Sequence, residues 1–231
     1  MLWPILALAV PTFILEIQQQ LAAIDGPKGY YATTYRKEET AYWKHLPGWI
    51  QADAKSHAAT RVLDIGCGYG TLLAFAAKQY AASGYCMDVS EYLWPKFRTQ
   101  HKLTWAKGNI ELDPIPFPGP FDVIIMTEVL EHFNFQPVPT LAKIRKALAP
   151  GGILLLSTPD AQQWGREMKY YKQLTDLPPA QPNAKIIDGH VWVYSKEELL
   201  PLLKSAGFRI LKSEYAPGVG HRHFNIMAAS D

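Results

Sequence analysis

Three glycines at alternate positions, Gly66, Gly68 and Gly70, stand between two apolar runs of different character. Before them, Arg61-Val62-Leu63-Asp64-Ile65 reads as a buried strand; after them, Thr71-Leu72-Leu73-Ala74-Phe75-Ala76-Ala77-Lys78 opens a helix over 71–82. Glycines there let the backbone approach a ligand and adopt torsions closed to residues with a Cβ. The helix start beyond presents N–H groups that have no intrahelical partner. Strand, glycine turn and helix in this order form a nucleotide-cradling turn.

The dinucleotide fingerprint needs a small third residue where Thr71 stands, so a nicotinamide oxidoreductase is disfavoured. Asp64 argues the same way, because a carboxylate beside the turn repels a pyrophosphate and suits a ligand carrying an ammonium and a sulfonium. Asp64-x-Gly66-Cys67-Gly68-x-Gly70 resembles motif I of the class I S-adenosylmethionine (SAM) methyltransferases. A second strand, Gly84-Tyr85-Cys86-Met87-Asp88-Val89, ends in an acid eighteen residues past Gly70. A carboxylate at that place can accept hydrogen bonds from both ribose hydroxyls.

The resemblance covers roughly residues 60–229. It implies an α/β, Rossmann-like doubly wound sheet of seven strands in the order 3-2-1-4-5-7-6, the seventh antiparallel. It further implies that Gly66, Cys67, Gly68, Gly70, Asp88 and Val89 cradle SAM. In Gly108-Asn109-Ile110-Glu111 the family carries an acid for the adenine amine where Asn109 stands. The Asn109 carbonyl can still accept from an amine, or Asn109 is a plain turn former. Ile110 would pack on the ring. Phe121–Met126, a fourth buried strand, leads into Thr127-Glu128-Val129-Leu130-Glu131-His132-Phe133, similar to the Glu-Val-Leu-Glu-His segment of small-molecule methyltransferases. Residues just past a strand's carboxyl end face the ligand crevice. Glu128 is thereby expected at the methionyl end of SAM, and His132 either handles a proton or shapes its loop.

Further strands are expected at 103–106 and 153–157, with helices near 91–99 and 139–148 and a turn at Pro150-Gly151-Gly152. Pro159 to His190 is irregular and rich in aromatics and prolines, as a cover over a site would be. His190 resembles the histidine that precedes a serine-capped helix in relatives; it touches substrate or ties the insert down. Ser195 and Glu198 form the capping box of that helix, which a glycine stops at Gly207. Phe208–Tyr215 and His223–Ala229 then read as a closing antiparallel pair.

Upstream, residues 1–58 are expected to be a helical extension or lid on a methyltransferase domain at 59–231, with the cover at about 159–194. Met1 to Leu15 carries no charged side chain. At ~1.5 Å per residue it is short of a hydrocarbon core of about 30 Å, and it lacks the basic start of a signal peptide. Phe13, Ile14, Ile17, Leu21 and Ile24 form a stripe that packs on the domain, rests on a membrane interface, or belongs to an anchor. Tyr30, Tyr35 and Arg36 fold over the cofactor, as the resemblance implies, or start a surface helix. One helix is expected from Ala41 to Lys55.

With 23 basic and 21 acidic residues the chain has no electrostatic footprint for nucleic acid. Cys67 and Cys86 have no metal-ligand spacing, so no metal is expected and both read as reduced, space-filling residues of a cytoplasmic protein. Together these features predict SAM-dependent methyl transfer to a small or lipid-like acceptor through an oxygen, nitrogen or carbon nucleophile. His132 and His190 are the candidate catalytic residues. A non-catalytic SAM-binding or scaffolding protein is the alternative, and peripheral membrane contact through residues 1–24 is a further expectation.

Overall fold

The computed structural model describes residues 12–166 and 169–230. Helix α1 (Thr12–Asp25) leads through a π-helical turn (Tyr31–Tyr35) into α2 (Arg36–Tyr42), and α3 (Leu46–Asp53) follows. The sheet then alternates with helices: β1 (Arg61–Ile65), α4 (Thr71–Gln79), β2 (Ser83–Asp88), α5 (Pro95–His101), β3 (Thr104–Lys107) and β4 (Phe121–Thr127). After a 3₁₀ turn (Leu130–His132) come α6 (Pro137–Ala147), β5 (Leu148–Pro159), α7 (Ala161–Trp164) and α8 (Lys196–Ser205). The chain closes with β6 (Phe208–Ala216) and β7 (His223–Ser230).

The strand order is β3-β2-β1-β4-β5-β7-β6, with β7 antiparallel to both neighbours, as the resemblance implies. Side chains alternate across a strand, so neighbours feed opposite cores. Val62, Ile125 and Leu155 face the layer built from α1, α3, α4 and α5, whereas Leu63, Ile124 and Leu154 face α6 and α8. Helices on both faces keep the central strands almost wholly apolar.

The N-terminal stripe belongs to the first of these cores. Ile14, Ile17 and Leu21 are fully buried with Phe75 of α4, and the Phe13 and Phe75 rings stack at 6.4 Å. The expectations for residues 1–11 lie outside the described residues. The helix expected at 41–55 is broken at Trp43–His45. Pro47 causes the break: its ring clashes with the carbonyl four residues back and it has no N–H to donate, so it opens a new helix. Pro95 likewise delays α5 to 95–101. The Pro150-Gly151-Gly152 turn lies inside β5, where Gly152 runs so close to β4 that a Cβ would stand 3.0 Å from the Asp122 carbonyl.

Asn225 of β7 clasps the N-terminal helices. Its Oδ1 accepts the His45 N–H at 3.0 Å, and its Nδ2 donates to the Tyr42 carbonyl at 2.7 Å. Cys67 and Cys86 depart from expectation: they form a disulfide, with Cα atoms 5.7 Å apart. β1 and β2 are parallel neighbours with Asp64 level with Cys86, and the glycine turn carries Cys67 back over that position. Spacing along the chain does not reveal such a pairing. It also removes the argument from free thiols to a reducing compartment.

Candidate active site

A cavity of about 700 Å³ opens at the carboxyl ends of β1, β2 and β4, where open α/β sheets bind ligands. One end is formed by the glycine turn and the acid of β2. Gly66, Gly68 and Gly70 all have positive φ, which explains why glycine stands at these three positions of the turn. A Cβ on Gly66 would stand 2.3 Å from Val129 Cγ2. Asp88 Oδ2 accepts the Gly68 N–H and Oδ1 the Ser90 N–H, each at 3.0 Å. Both carboxylate oxygens retain lone pairs for further donors. Burial pushes the Asp88 carboxyl up, against the backbone hydrogen bonds that pull it down.

Asp64 stands behind this wall, not in it. Between Cys86 and Ile125 in the sheet it is 2% exposed, and its Oδ1 has no hydrogen-bond partner among the described residues. Burial, and then Asp88, hold its carboxyl well above the usual range. Gly70 is also covered, by Leu93 and Phe97, and Cys67 turns its sulfur to Cys86.

Of the aromatic segment, Tyr30 and Tyr35 line the cavity, joined by Tyr69 and Tyr92. The Tyr35 and Tyr69 rings meet at a tilt, 5.1 Å apart, while Tyr31 beneath them donates to buried Glu39 at 2.7 Å. The Arg36 side chain is not part of the wall. Asn109 and Ile110 line the cavity beside Val89. Asn109 Oδ1 accepts the Glu111 N–H at 2.8 Å, an Asx turn, and keeps one lone pair for an outside amine.

The other end of the cavity holds the acids and histidines. Glu128 sits at φ +56, a torsion that is rare for a residue with a side chain. Its Oε1 accepts the Ser157 hydroxyl at 2.6 Å, and its Oε2 lies 2.9 Å from His223 Nδ1. Burial raises the acid and lowers the imidazole, so it biases both members of this pair toward their neutral forms. Glu131 is 1% exposed; Thr158 donates to its Oε2 at 2.9 Å, and its backbone carbonyl accepts the Val191 N–H at 2.8 Å. Burial, and then Glu128, push the Glu131 carboxyl up.

His132 lines the cavity, and its Nδ1 lies 2.9 Å from the Gly189 carbonyl. A carbonyl only accepts, so Nδ1 carries the proton and Nε2 presents a lone pair. His190 lies one layer out, its ring edge-on to His132 at 4.8 Å and 4.9 Å from Trp164. Burial, and then the neighbouring histidines, lower its pKa to about 4. Although no metal was expected, one ligand atom each from Glu131, His132 and His190 lie within 4.8 Å of one another.

Glu111, Asn134 and Ile186–Gly189, which no sequence motif singles out as site residues, also line the cavity. Glu111 accepts the Asn134 and Phe135 N–H groups, each at 2.9 Å, and Asn134 holds the insert through Ile187. These residues sit in loops without periodicity; the acid at 111 beside an expected adenine loop was the one available signal.

Comparison with known proteins agrees with this geometry. A family model described as a methyltransferase domain matches residues 16–213. The demethylspheroidene O-methyltransferase of Rhodobacter capsulatus is 39% identical over 101 residues, covering 43% of this chain and 25% of that protein. A ubiquinone biosynthesis O-methyltransferase of Bordetella bronchiseptica is 33% identical over 123 residues, covering 48% and 47%. The chain thus spans less than half the length of these curated relatives. Magnesium protoporphyrin IX methyltransferase of Synechocystis, solved with S-adenosylhomocysteine (SAH), superposes with a TM-score of 0.63 at 16% identity, covering 94% of each chain. The 1,6-didemethyltoxoflavin N1-methyltransferase of Burkholderia thailandensis gives 0.62 at 17% identity, covering 100% of this chain and 94% of that one. At these identities the likeness is one of fold.

Proposed function

Because the chain belongs to the methyltransferase-domain family, whose model spans residues 16–213, we propose that it transfers the methyl group of SAM to an oxygen of a small or amphipathic acceptor. The observation that carries this reading is the division of one cavity into two ends. The Asp88–Gly68 end suits a ribose and its nucleotide, and the Glu128–His132 end suits a hydroxyl about to be alkylated.

The glycine turn would hold SAM, Asp88 would take its ribose hydroxyls, and Val89, Asn109 and Ile110 would take its adenine. Tyr30 and Tyr35 cover it, and Glu128 stands at the methionyl end. The sulfonium is already a good leaving group, so catalysis is mainly positioning and removal of the acceptor's proton. His132 receives that proton at Nε2, held in the productive tautomer by Gly189, and His190 steadies the acceptor behind it. Oxygen is favoured because the curated relatives are named for O-methylation. Ile186 and Ile187 beside Phe133 suit an apolar acceptor body.

A cytoplasmic location follows from where SAM is made. Peripheral membrane contact through residues 1–24 would bring the chain to lipid-like acceptors. Among the described residues no helix is long and apolar enough to cross a membrane, and Leu15 is an exposed large apolar side chain of α1 that such contact could use.

The test is a labelled-SAM screen of the purified chain against phenolic, quinol, lipid and amine fractions. Transfer to a hydroxyl-bearing acceptor is expected. SAM binding without transfer to any fraction would favour a non-catalytic SAM-binding protein instead.

A further inference from the structure

We propose that Cys67 and Cys86 are a reversible redox pair that sets the chain's affinity for SAM, high when they are bridged and low when they are two thiols. They are the two cysteines of the sequence, and they are joined to each other. The bridge spans 19 residues, with Cα atoms 5.7 Å apart, and closes a loop that contains the whole of α4. In the cytoplasm, where SAM is made, lasting disulfides are rare, and those that form are mostly catalytic or redox-sensing.

The place of the bridge ties it to the ligand. Cys67 stands between Gly66 and Gly68, which line the cavity, and Cys86 stands two residues before Asp88. On either side of Cys67 the turn is hydrogen-bonded to the end of β2. The Gly66 N–H donates to the Met87 carbonyl at 2.8 Å, and the Gly68 N–H donates to Asp88 at 3.0 Å. The Cys67 carbonyl accepts the Gly70 N–H at 2.8 Å. One covalent bond thus lies at the centre of the contacts that shape the nucleotide end.

Breaking that bond moves the turn and not the strand. Cys86 is 0% exposed and paired on both sides, level with Asp64 of β1 and Trp105 of β3. Bonded sulfurs sit at about 2.05 Å, far inside the contact distance of two thiols, so reduction forces them apart. The ladders hold Cys86, and Cys67 on its loop gives way. Its displacement pulls on Gly66 and Gly68 and on their hydrogen bonds to β2. A cradle already in shape binds more tightly, because less ordering is left to the binding step.

The exchange balances with an outside dithiol, small or carried by a protein. Its thiolate attacks the sulfur of Cys67, the more exposed member at 9%, and Cys86 leaves as a thiolate that takes up a proton. The second outside thiol attacks the mixed disulfide and releases Cys67 as a thiol. Two electrons and two protons pass to the protein, and the outside dithiol becomes a disulfide. An outside disulfide reverses each step.

Control of SAM affinity rests on the methyl-transfer reading above, and the test separates the two. The full chain is equilibrated in graded mixtures of reduced and oxidised dithiothreitol, and its thiols are counted by alkylation and mass spectrometry. SAH affinity is measured by calorimetry on the bridged and the reduced chain. The bridged form should bind about tenfold more tightly, the scale of two weakened hydrogen bonds. Linkage then requires SAH to stabilise the bridge by the same factor, which moves its midpoint potential about 30 mV to the reducing side. Cys86→Ser should bind SAH like the reduced chain and ignore dithiothreitol, and both should still unfold cooperatively in urea. Equal SAH affinity in the two forms overturns the switch alone. So does a midpoint that SAH leaves unmoved, or a redox response that survives in Cys86→Ser. A reduced chain that no longer unfolds cooperatively makes the bridge a staple of the fold and also overturns the switch. SAH binding to neither form rejects the methyl-transfer reading and the switch with it.

Discussion

Asp88 holds the Gly68 N–H at 3.0 Å, so the acid that ends β2 and the turn that ends β1 form one unit. Removing the carboxylate therefore takes away a ligand contact and also loosens the cradle. Asp88→Ala should weaken SAH binding by about 1.5–3 kcal/mol, the scale of hydrogen bonds to a charged group, read by calorimetry. NAD should bind neither form. Unchanged SAH affinity would remove Asp88 from the nucleotide site.

The glycines of the turn should separate by what lies over them. At Gly68 a Cβ meets only the Tyr35 hydroxyl, at 3.7 Å, whereas at Gly66 it runs into Val129. Gly68→Val should abolish SAH binding while the protein still unfolds cooperatively, at a cost of about 1–2 kcal/mol for the positive φ. Gly66→Ala should lose stability as well as binding. Denaturant titrations beside SAH calorimetry distinguish the two; equal stability losses would contradict the geometry.

His132→Ala should depress kcat by about 10²-fold or more with SAM affinity near wild type, and His190→Ala should mainly raise the acceptor's KM. Steady-state kinetics on an acceptor found in the screen decides this. Wild-type turnover in both variants would mean that neither histidine takes part.

Glu39 provides a pH test away from the chemistry. It is 4% exposed beneath the tyrosines, and burial raises its pKa from 4.5 to about 7, against hydrogen bonds led by Tyr31 and Gln18. The folded state therefore prefers the neutral acid. The stability this gives is fully present below pH 4.5 and is lost as pH rises through 7. Glu39→Gln should match wild type near pH 4.5 and exceed it at pH 8 by at most about 3 kcal/mol, at ~1.4 kcal/mol per pH unit. Urea denaturation at the two pH values measures it, and parallel profiles would refute it.

What could be read beforehand was what repeats or punctuates. The apolar runs at 61–65 and 121–126 gave the central strands, and the alternate glycines with Asp88 gave the nucleotide end. Helices break or start late at Pro47 and Pro95 because apolar spacing runs on across a proline where the backbone cannot. Asp64 was expected beside the ligand because it ends a strand, yet its neighbours in the sheet enclose it. Glu131 lay in full view within Glu-Val-Leu-Glu-His, but nothing in that string tells which acid is left with an unpaired oxygen. That depends on the end of the insert some sixty residues later, which meets the turn only in three dimensions.

Asn225 sets an order of events in biosynthesis. The two backbone groups it clasps, at Tyr42 and His45, emerge from the ribosome about 180 residues before it does. Domains mature as synthesis proceeds from the N-terminus, yet this clasp needs β7. A nascent chain stalled before residue 223 can pair β1 to β5 but lacks the strand that clasps these helices. Competence for ligand should therefore wait for the release of β7, and loss of Asn225 should be felt at α2 and α3, far away in sequence.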